Sequence, residues 1–250
     1  MPRYFLNIAY LGAPFHGWQR QPGDISVQQT IEEALEKLTG KPCPVTGAGR
    51  TDAGVNARKM PAHFDCKSEI GDSIAFLRSL NALVGKNVAI NGICSVKDDA
   101  HARFDATKRT YHYYATTFKT PFFENLSWRC SPSLDFNAMN EAAQMLLTTK
   151  DFASFAKLHS DVKTTICNVT EAKWTEVMPG AWVFTISADR FLRNMVRAVV
   201  GTLVEVGRGK MSLTQFEDII ASHDRCKAGT SMPAHALYLW DVEYPYNTDY

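Results

Sequence analysis

One order of elements, strand-helix-strand-strand-helix-strand, can be traced twice along this chain, and few folds accommodate it. In the first half, Tyr4–Tyr10 alternates, with Leu6, Ile8 and Tyr10 on one side, and predicts a strand. Ser26, with Gln29 three residues on, forms a capping-box pattern. It opens a helix striped by Val27, Ile31, Ala34, Leu35 and Leu38 and stopped by Gly40. Val45–Arg50 and Ala62–Cys66 read as strands, Asp72–Val84 as a helix with Ile74, Leu77 and Leu80 inward, and Val88–Val96 as a strand. In the second half, Thr110–Thr117 is a strand and Asp135–Thr148 a helix burying Met139, Ala142, Ala143 and Leu146. Val169–Val177 and Trp182–Ala188 flank a Pro179-Gly180 turn. Phe191–Val206 is a helix with Leu192, Val196, Val199 and Leu203 inward, and Ser212 with Gln215 caps a short extra helix. Leu237–Tyr244 is the last strand.

Two split-βαβ halves of this kind predict an α+β fold of two ferredoxin-like units, 1–105 and 106–250, joined near the polar stretch Asp98–Lys108. Mostly antiparallel sheet, helices on one side and a central cleft suited to a ligand follow from that. Phe118–Pro132 and Lys157–Lys163 are the segments expected to be mobile insertions.

With 250 residues, 45% of them hydrophobic and 21% charged, the chain has the make-up of a globular protein. The start, MPRYFLNIAYLG, lacks a signal-type apolar region and no apolar run reaches spanning length, so neither secretion nor membrane insertion is expected. The six cysteines form no CxxC and the histidines show no ligand spacing. Reduced, mostly buried thiols in a cytoplasmic protein, with no metal, are the expectation. Net charge is only +1, so a nucleic-acid partner requires the cations to be pooled on one surface. Asp189–Lys210 carries five Arg/Lys against two acids, a pattern that a solvated helix face explains equally well.

The stretch with the most chemistry is Gly47–Asn56, GAGRTDAGVN. Asp52 stands where a dinucleotide fingerprint needs its third glycine, and no Gly-Lys-Ser/Thr follows, so both phosphate-loop readings fail. Asp52 is then itself the working group. Arg50, two residues away on a strand or strand end, could hold it by a charge-assisted hydrogen bond; a tight turn with a surface ion pair is the alternative. Arg193 and Arg197, four apart, would share a helix face and could clamp phosphates, pair with a carboxylate or simply solubilise the helix. Tyr111 could stack on a nucleobase or pack on the sheet. His101 and Arg103 could contact phosphate or cap a strand end, and Lys108 with Arg109 could be a solvated strand start.

Taken together, these strings resemble the tRNA pseudouridine synthase A family over nearly the whole chain. GRTDAGVNA at 49–57 is similar to the family's GRTDAGVHA, Gly17-Trp18-Gln19-Arg20-Gln21 to its GWQxQ, and Arg109-Thr110-Tyr111-His112-Tyr113 to its RxYxY. Phe191–Arg197 resembles the helix ending in its active-site arginine and Ala236-Leu237-Tyr238-Leu239 its GLYL. Ala62-His63-Phe64 and His101-Ala102-Arg103-Phe104 are family strings too. Three positions depart from the pattern: Leu11 where the family has an acid, Asn56 where it has His, and Ala236 where it has Gly.

The resemblance implies a pseudouridine synthase fold and a cofactor-free isomerase of uridines in the tRNA anticodon arm, acting on a flipped-out base. It implies Asp52 as the catalytic nucleophile, with Tyr111, Arg197, Arg50 and Leu237 around the substrate. Arg197 would pair with Asp52, Leu237 would pack by the catalytic loop, and Arg50 would fill the space left by the base or bind phosphate. Arg20, Arg58, Arg103, Lys108 and Arg193 are the further RNA-binding candidates, and a symmetric homodimer with tRNA as partner is implied. A non-catalytic tRNA-binding module and an enzyme of free nucleosides are the competing classes.

Overall fold

A computed structural model describes residues 1–157 and 163–248. Residues 158–162, within the expected insertion Lys157–Lys163, lie outside the described residues. The chain divides into two compact units, Met1–Thr107 with Leu239–Tyr250, and Lys108–Tyr238. The last residues, assigned to the second half from sequence, thus group with the first unit. Within that unit the Thr107 amide donates to Glu243 O (2.9 Å), Lys59 pairs with Asp241 (2.7 Å), and the Tyr244 hydroxyl donates to Ala102 O (2.6 Å).

In the first unit, strand β1 (Arg3–Tyr10) is followed by helix α1 (Val27–Thr39), β2 (Thr46–Gly47), β3 (Asn56–Asp65), α2 (Ser73–Leu83) and β4 (Val88–Val96). β1 lies between β3 and β4, antiparallel to both, and β2 pairs with β3. The order β4-β1-β3-β2 is that of a ferredoxin-like unit. Ser26 caps α1 by accepting from the Gln29 amide, and Gly40 ends it at φ 71°. The Gln29 side chain turns to Glu33 instead of back to Ser26, so only half of the expected capping box forms. β3 starts six residues before the predicted strand and carries the Asp52 loop at its entrance. In α2 Leu80 is buried but Ile74 is 65% exposed, against the inward placement read from spacing.

In the second unit the elements are β5 (Lys108–Thr116), β6 (Trp128–Arg129), α3 (Phe136–Thr148), β7 (Val169–Met178), β8 (Ala181–Ala188), α4 (Met195–Gly207) and α5 (Leu213–Ser222). The strand β9 (Leu237–Glu243) begins here. β5, β8 and β7 form an antiparallel ladder, with Tyr111 opposite Ile186 and Tyr113 opposite Phe184. β6, inside the segment predicted as an insertion, pairs in parallel with β5. Asp135 caps α3, which buries Phe136, Met139, Ala142, Ala143 and Leu146. The reciprocal capping box of Ser212 and Gln215 opens α5.

α4 is apolar nearly all round and correspondingly buried; only Arg197 and Glu205 reach half-exposure. It starts at Met195, not Phe191, because Asn194 takes a left-handed conformation (φ 64°), which asparagine tolerates better than most residues. Arg193 therefore lies ahead of the helix and does not share a helical face with Arg197. Among the described residues no helix is long and apolar enough to cross a membrane. Among the described residues no cysteine is joined in a disulfide, and Cys43, Cys66, Cys130 and Cys167 are buried.

Candidate active site

In the first unit the backbone on both sides of Asp52 is held by named bonds. Thr51, just before it, is buried; its hydroxyl meets the Tyr10 hydroxyl at 2.8 Å and its carbonyl accepts from the Trp18 amide at 3.1 Å. After Asp52 the chain reverses. The Val55 amide donates to Asp52 O (3.1 Å), with Gly54 at φ 78°, the left-handed position such a turn needs. Asn56, buried, then accepts from the Gly12 amide through Oδ1 at 2.8 Å. Tyr10 and Gly12 come from β1 and its exit, Trp18 from the GWQRQ loop, and Asn56 from the first residue of β3. Two short sequence strings thus lock a ten-residue loop, and the half-buried Asp52 carboxylate is carried on its fixed part.

Arg50 is exposed and its side chain forms no hydrogen bond or ion pair among the described residues, so the reading in which it holds Asp52 is not realised. Arg20 is engaged by Glu32 (3.2 Å). The exposed Arg58 has its guanidinium 4.7 Å over the Trp240 ring. Arg103 lies 5.8 Å over the Phe104 ring in the turn at 101–104.

In the second unit Tyr111 is half-buried on β5, its ring edge-on to Phe191 at 5.0 Å. Arg197 sits in the first turn of α4, where a cation opposes the helix dipole. What fixes it is the segment after Ala228: Arg197 Nε donates to Met232 O (2.5 Å), and the Met232 amide donates to Arg197 O (3.1 Å). Asn194 Nδ2 donates to Ser231 Oγ at 2.6 Å, tying the same two stretches once more. Tyr113, two residues along the strand from Tyr111, is fully buried. Burial pushes its phenol well above the usual range, the positive Arg197 pulling the other way, so it stays protonated. Leu237 is buried at the start of β9, directly after a turn tied by His235 Nε2 to Ser127 O (3.2 Å). Lys108 is half-buried at the start of β5, and Arg193 is exposed.

Sequence reasoning missed the supports. Tyr10 is legible in sequence only as part of a strand face, Trp18 only as part of a family string, and Asn56 only as a departure from a pattern; each holds the Asp52 loop. A usable signal was the clustering of Tyr10, Gly12 and Trp18 shortly before a second glycine-rich stretch.

The family model described as tRNA pseudouridine synthase matches residues 142–245, the stretch holding α4 and all of β9. Curated relatives extend the match to nearly the whole chain. A tRNA pseudouridine synthase A of Parabacteroides distasonis is 55% identical, covering 98% of this chain and 97% of its own. Those of Bacteroides fragilis and Porphyromonas gingivalis are each 54% identical, covering 97% and 98% of this chain and 96% and 98% of their own. The chain belongs to the tRNA pseudouridine synthase A family, isomerases that convert uridine to pseudouridine in tRNA. The resemblance read from its motifs is thereby borne out.

Proposed function

We propose that this protein isomerises uridines in the anticodon arm of tRNA, with Asp52 as the nucleophile. The observation that carries the reading is the Asp52 turn itself: a carboxylate on a loop whose preceding and following residues are fixed by Tyr10, Trp18 and Gly12. A reacting group held this way loses little freedom when substrate arrives. A carboxylate oxygen is a nucleophile able to form a covalent intermediate with a substrate.

The reaction breaks the N1–C1′ bond of uridine, turns the uracil and forms a C5–C1′ bond; the C5 proton leaves and N1 takes up a proton. Product and substrate are isomers, so there is no net oxidation and no group to be supplied. Asp52 adds either to C6 of the ring or to C1′ and is released when the new bond is complete. A uridine in a stem must first leave the stack, at a cost of a few kcal/mol. Tyr111, braced by Phe191, offers a ring face to the extruded base, and stacking returns roughly 1–3 kcal/mol.

Arg197 is given the role of partner to the ionised carboxylate, Leu237 that of apolar packing beside the base, and exposed Arg50 that of filling the vacated stack or meeting a phosphate. Arg20, Arg58, Arg103, Lys108 and Arg193 add phosphate contacts. On this reading 1–105 is the half with the nucleophile and 106–250 the half with Tyr111 and Arg197. The enzyme works as a cytoplasmic homodimer whose basic surfaces are shared.

The test is tritium release from tRNA labelled at uracil C5. Wild type releases tritium; Asp52→Ala does not; Asp52→Asn binds tRNA with near wild-type affinity yet stays inactive. Release by Asp52→Ala at the wild-type rate would overturn the assignment.

A further inference from the structure

The turn His101-Ala102-Arg103-Phe104 in the first unit is a built object with an open aromatic surface. Phe104 is 75% exposed, yet its ring is not loose: it stacks on the His101 imidazole with centroids 4.2 Å apart and planes 28° apart. His101 in turn meets the buried His63 ring edge-on at 4.7 Å. The backbone is pinned residue by residue. His101 Nδ1 accepts from the Arg103 and Phe104 amides (3.1 and 3.2 Å), and the His101 amide donates to Asp105 Oδ2 (2.7 Å). The Ala102 amide donates to His63 Nδ1 (3.1 Å). Two tyrosines of the C-terminal segment clasp the turn from outside, Tyr244 through Ala102 O (2.6 Å) and Tyr246 through Asp105 Oδ2 (2.8 Å). Arg3 completes the frame by donating to Ala100 O (2.9 Å).

An exposed phenylalanine is unremarkable alone. Here bonds from β1, β3 and the C-terminal segment converge on one turn whose outward product is a rigid ring with a guanidinium 5.8 Å over it. None of these bonds is needed to bury Phe104, which stays out. A preformed aromatic face beside an arginine suits a planar, electron-rich partner attached to phosphate: a nucleobase in a polynucleotide. Rigidity lets such a face bind without further loss of side-chain entropy.

We infer that the His101–Phe104 stack is a docking platform for an unpaired or terminal base of the tRNA, outside the reacting uridine, with Arg103 meeting the adjoining phosphate. The inference rests on tRNA being the substrate, but not on the role of Asp52. A stack contributes affinity that salt barely changes, whereas a phosphate contact contributes to the salt slope.

Fluorescence anisotropy with labelled tRNA, run across a salt series, separates the two. Phe104→Ala and Phe104→Leu should each weaken Kd roughly ten-fold at every salt concentration and raise KM in tritium release by a similar factor, at unchanged Tm. Phe104→Trp should bind like wild type, with its indole emission quenched on binding. Arg103→Gln should reduce the slope of log Kd against log salt. If Phe104→Ala or Phe104→Leu binds as wild type does, or if Leu substitutes fully while Ala does not, the platform is refuted. Wild type that binds tRNA but releases no tritium would count against the assignment of Asp52, while the Phe104 series would still decide the platform; wild type that binds no tRNA would overturn both.

Discussion

The Tyr10 hydroxyl and Thr51 Oγ1 stand 2.8 Å apart in the buried interior of the first unit, one residue from Asp52, the proposed nucleophile. A single hydrogen bond of this kind contributes about 1 kcal/mol to folding. Its larger effect is on position, since a displacement of about 1 Å at a reacting group can cost roughly a hundred-fold in rate. Tyr10→Phe should therefore lower stability by about 1 kcal/mol and kcat by a larger factor. Denaturant melts and single-turnover tritium release check the two together. Equal, small losses in both would mean that the bond merely fills space.

Arg197 depends on a close approach between α4 and the segment 228–232. A Cβ on Gly201 would lie 1.8 Å from Thr230 O, so the segment must retreat if alanine is placed there. Met232 O, which holds Arg197 Nε, would move with it. Gly201→Ala should cost about 1–3 kcal/mol of stability from overpacking and reduce kcat even at temperatures where the fold is intact. Activity at the wild-type level in folded Gly201→Ala would show that the Met232 contact does not set the arginine.

Where the chain was legible, periodicity and caps made it so. The stripe of α1, the Asp135 cap of α3 and the Ser212–Gln215 box all rest on neighbours in sequence, and all form. What was not legible involves partners far along the chain. The stripe of α4 runs through Phe191, but the helix waits until Met195 because Asn194 is held left-handed against Ser231, thirty-seven residues on. Ile74 fits the helical spacing, yet it faces outward because α2 buries little beyond Leu80. The Asp52 loop stands out as a candidate through glycine and charge crowded into ten residues, and its proposed catalytic role comes from the family resemblance. Its supports, Tyr10 and Asn56, do not stand out, because a buried tyrosine in a strand reads as core and an asparagine after a turn reads as loop.

Asn56 offers a direct test of one departure from the family pattern. Its Oδ1 is the acceptor for the buried Gly12 amide. Asn56→Ala strips that amide of its partner without opening a path for water and should cost about 1–3 kcal/mol. Asn56→His returns the family's residue and can supply a ring nitrogen as acceptor, so it should recover most of the loss. Thermal melts of the three proteins decide the matter. Equal melting of Asn56→Ala and wild type would show that the bond carries no stability.

His63 gives the fold a dependence on pH. It is 7% exposed and its Nδ1 accepts from the Ala102 amide, an arrangement that requires that nitrogen to be unprotonated. Burial first, then the positive charges of Arg3 and His101, lower its pKa to about 4, with Asp65 and Asp105 pulling the other way. In the unfolded chain a histidine titrates near 6.5. Between those values the unfolded state takes up a proton that the folded state refuses, so the stabilisation is complete above about pH 6.5 and is lost as pH falls toward 4. The loss from this group between pH 7 and pH 5 is on the order of 2 kcal/mol. His101 is also lowered, chiefly by burial, and adds in the same direction, so the informative quantity is the difference between wild type and a variant. His63→Gln keeps an acceptor for Ala102 without the titration, and its Tm should fall less than that of wild type over this range. Parallel Tm curves for the two proteins would show that His63 is not the group that couples protons to folding.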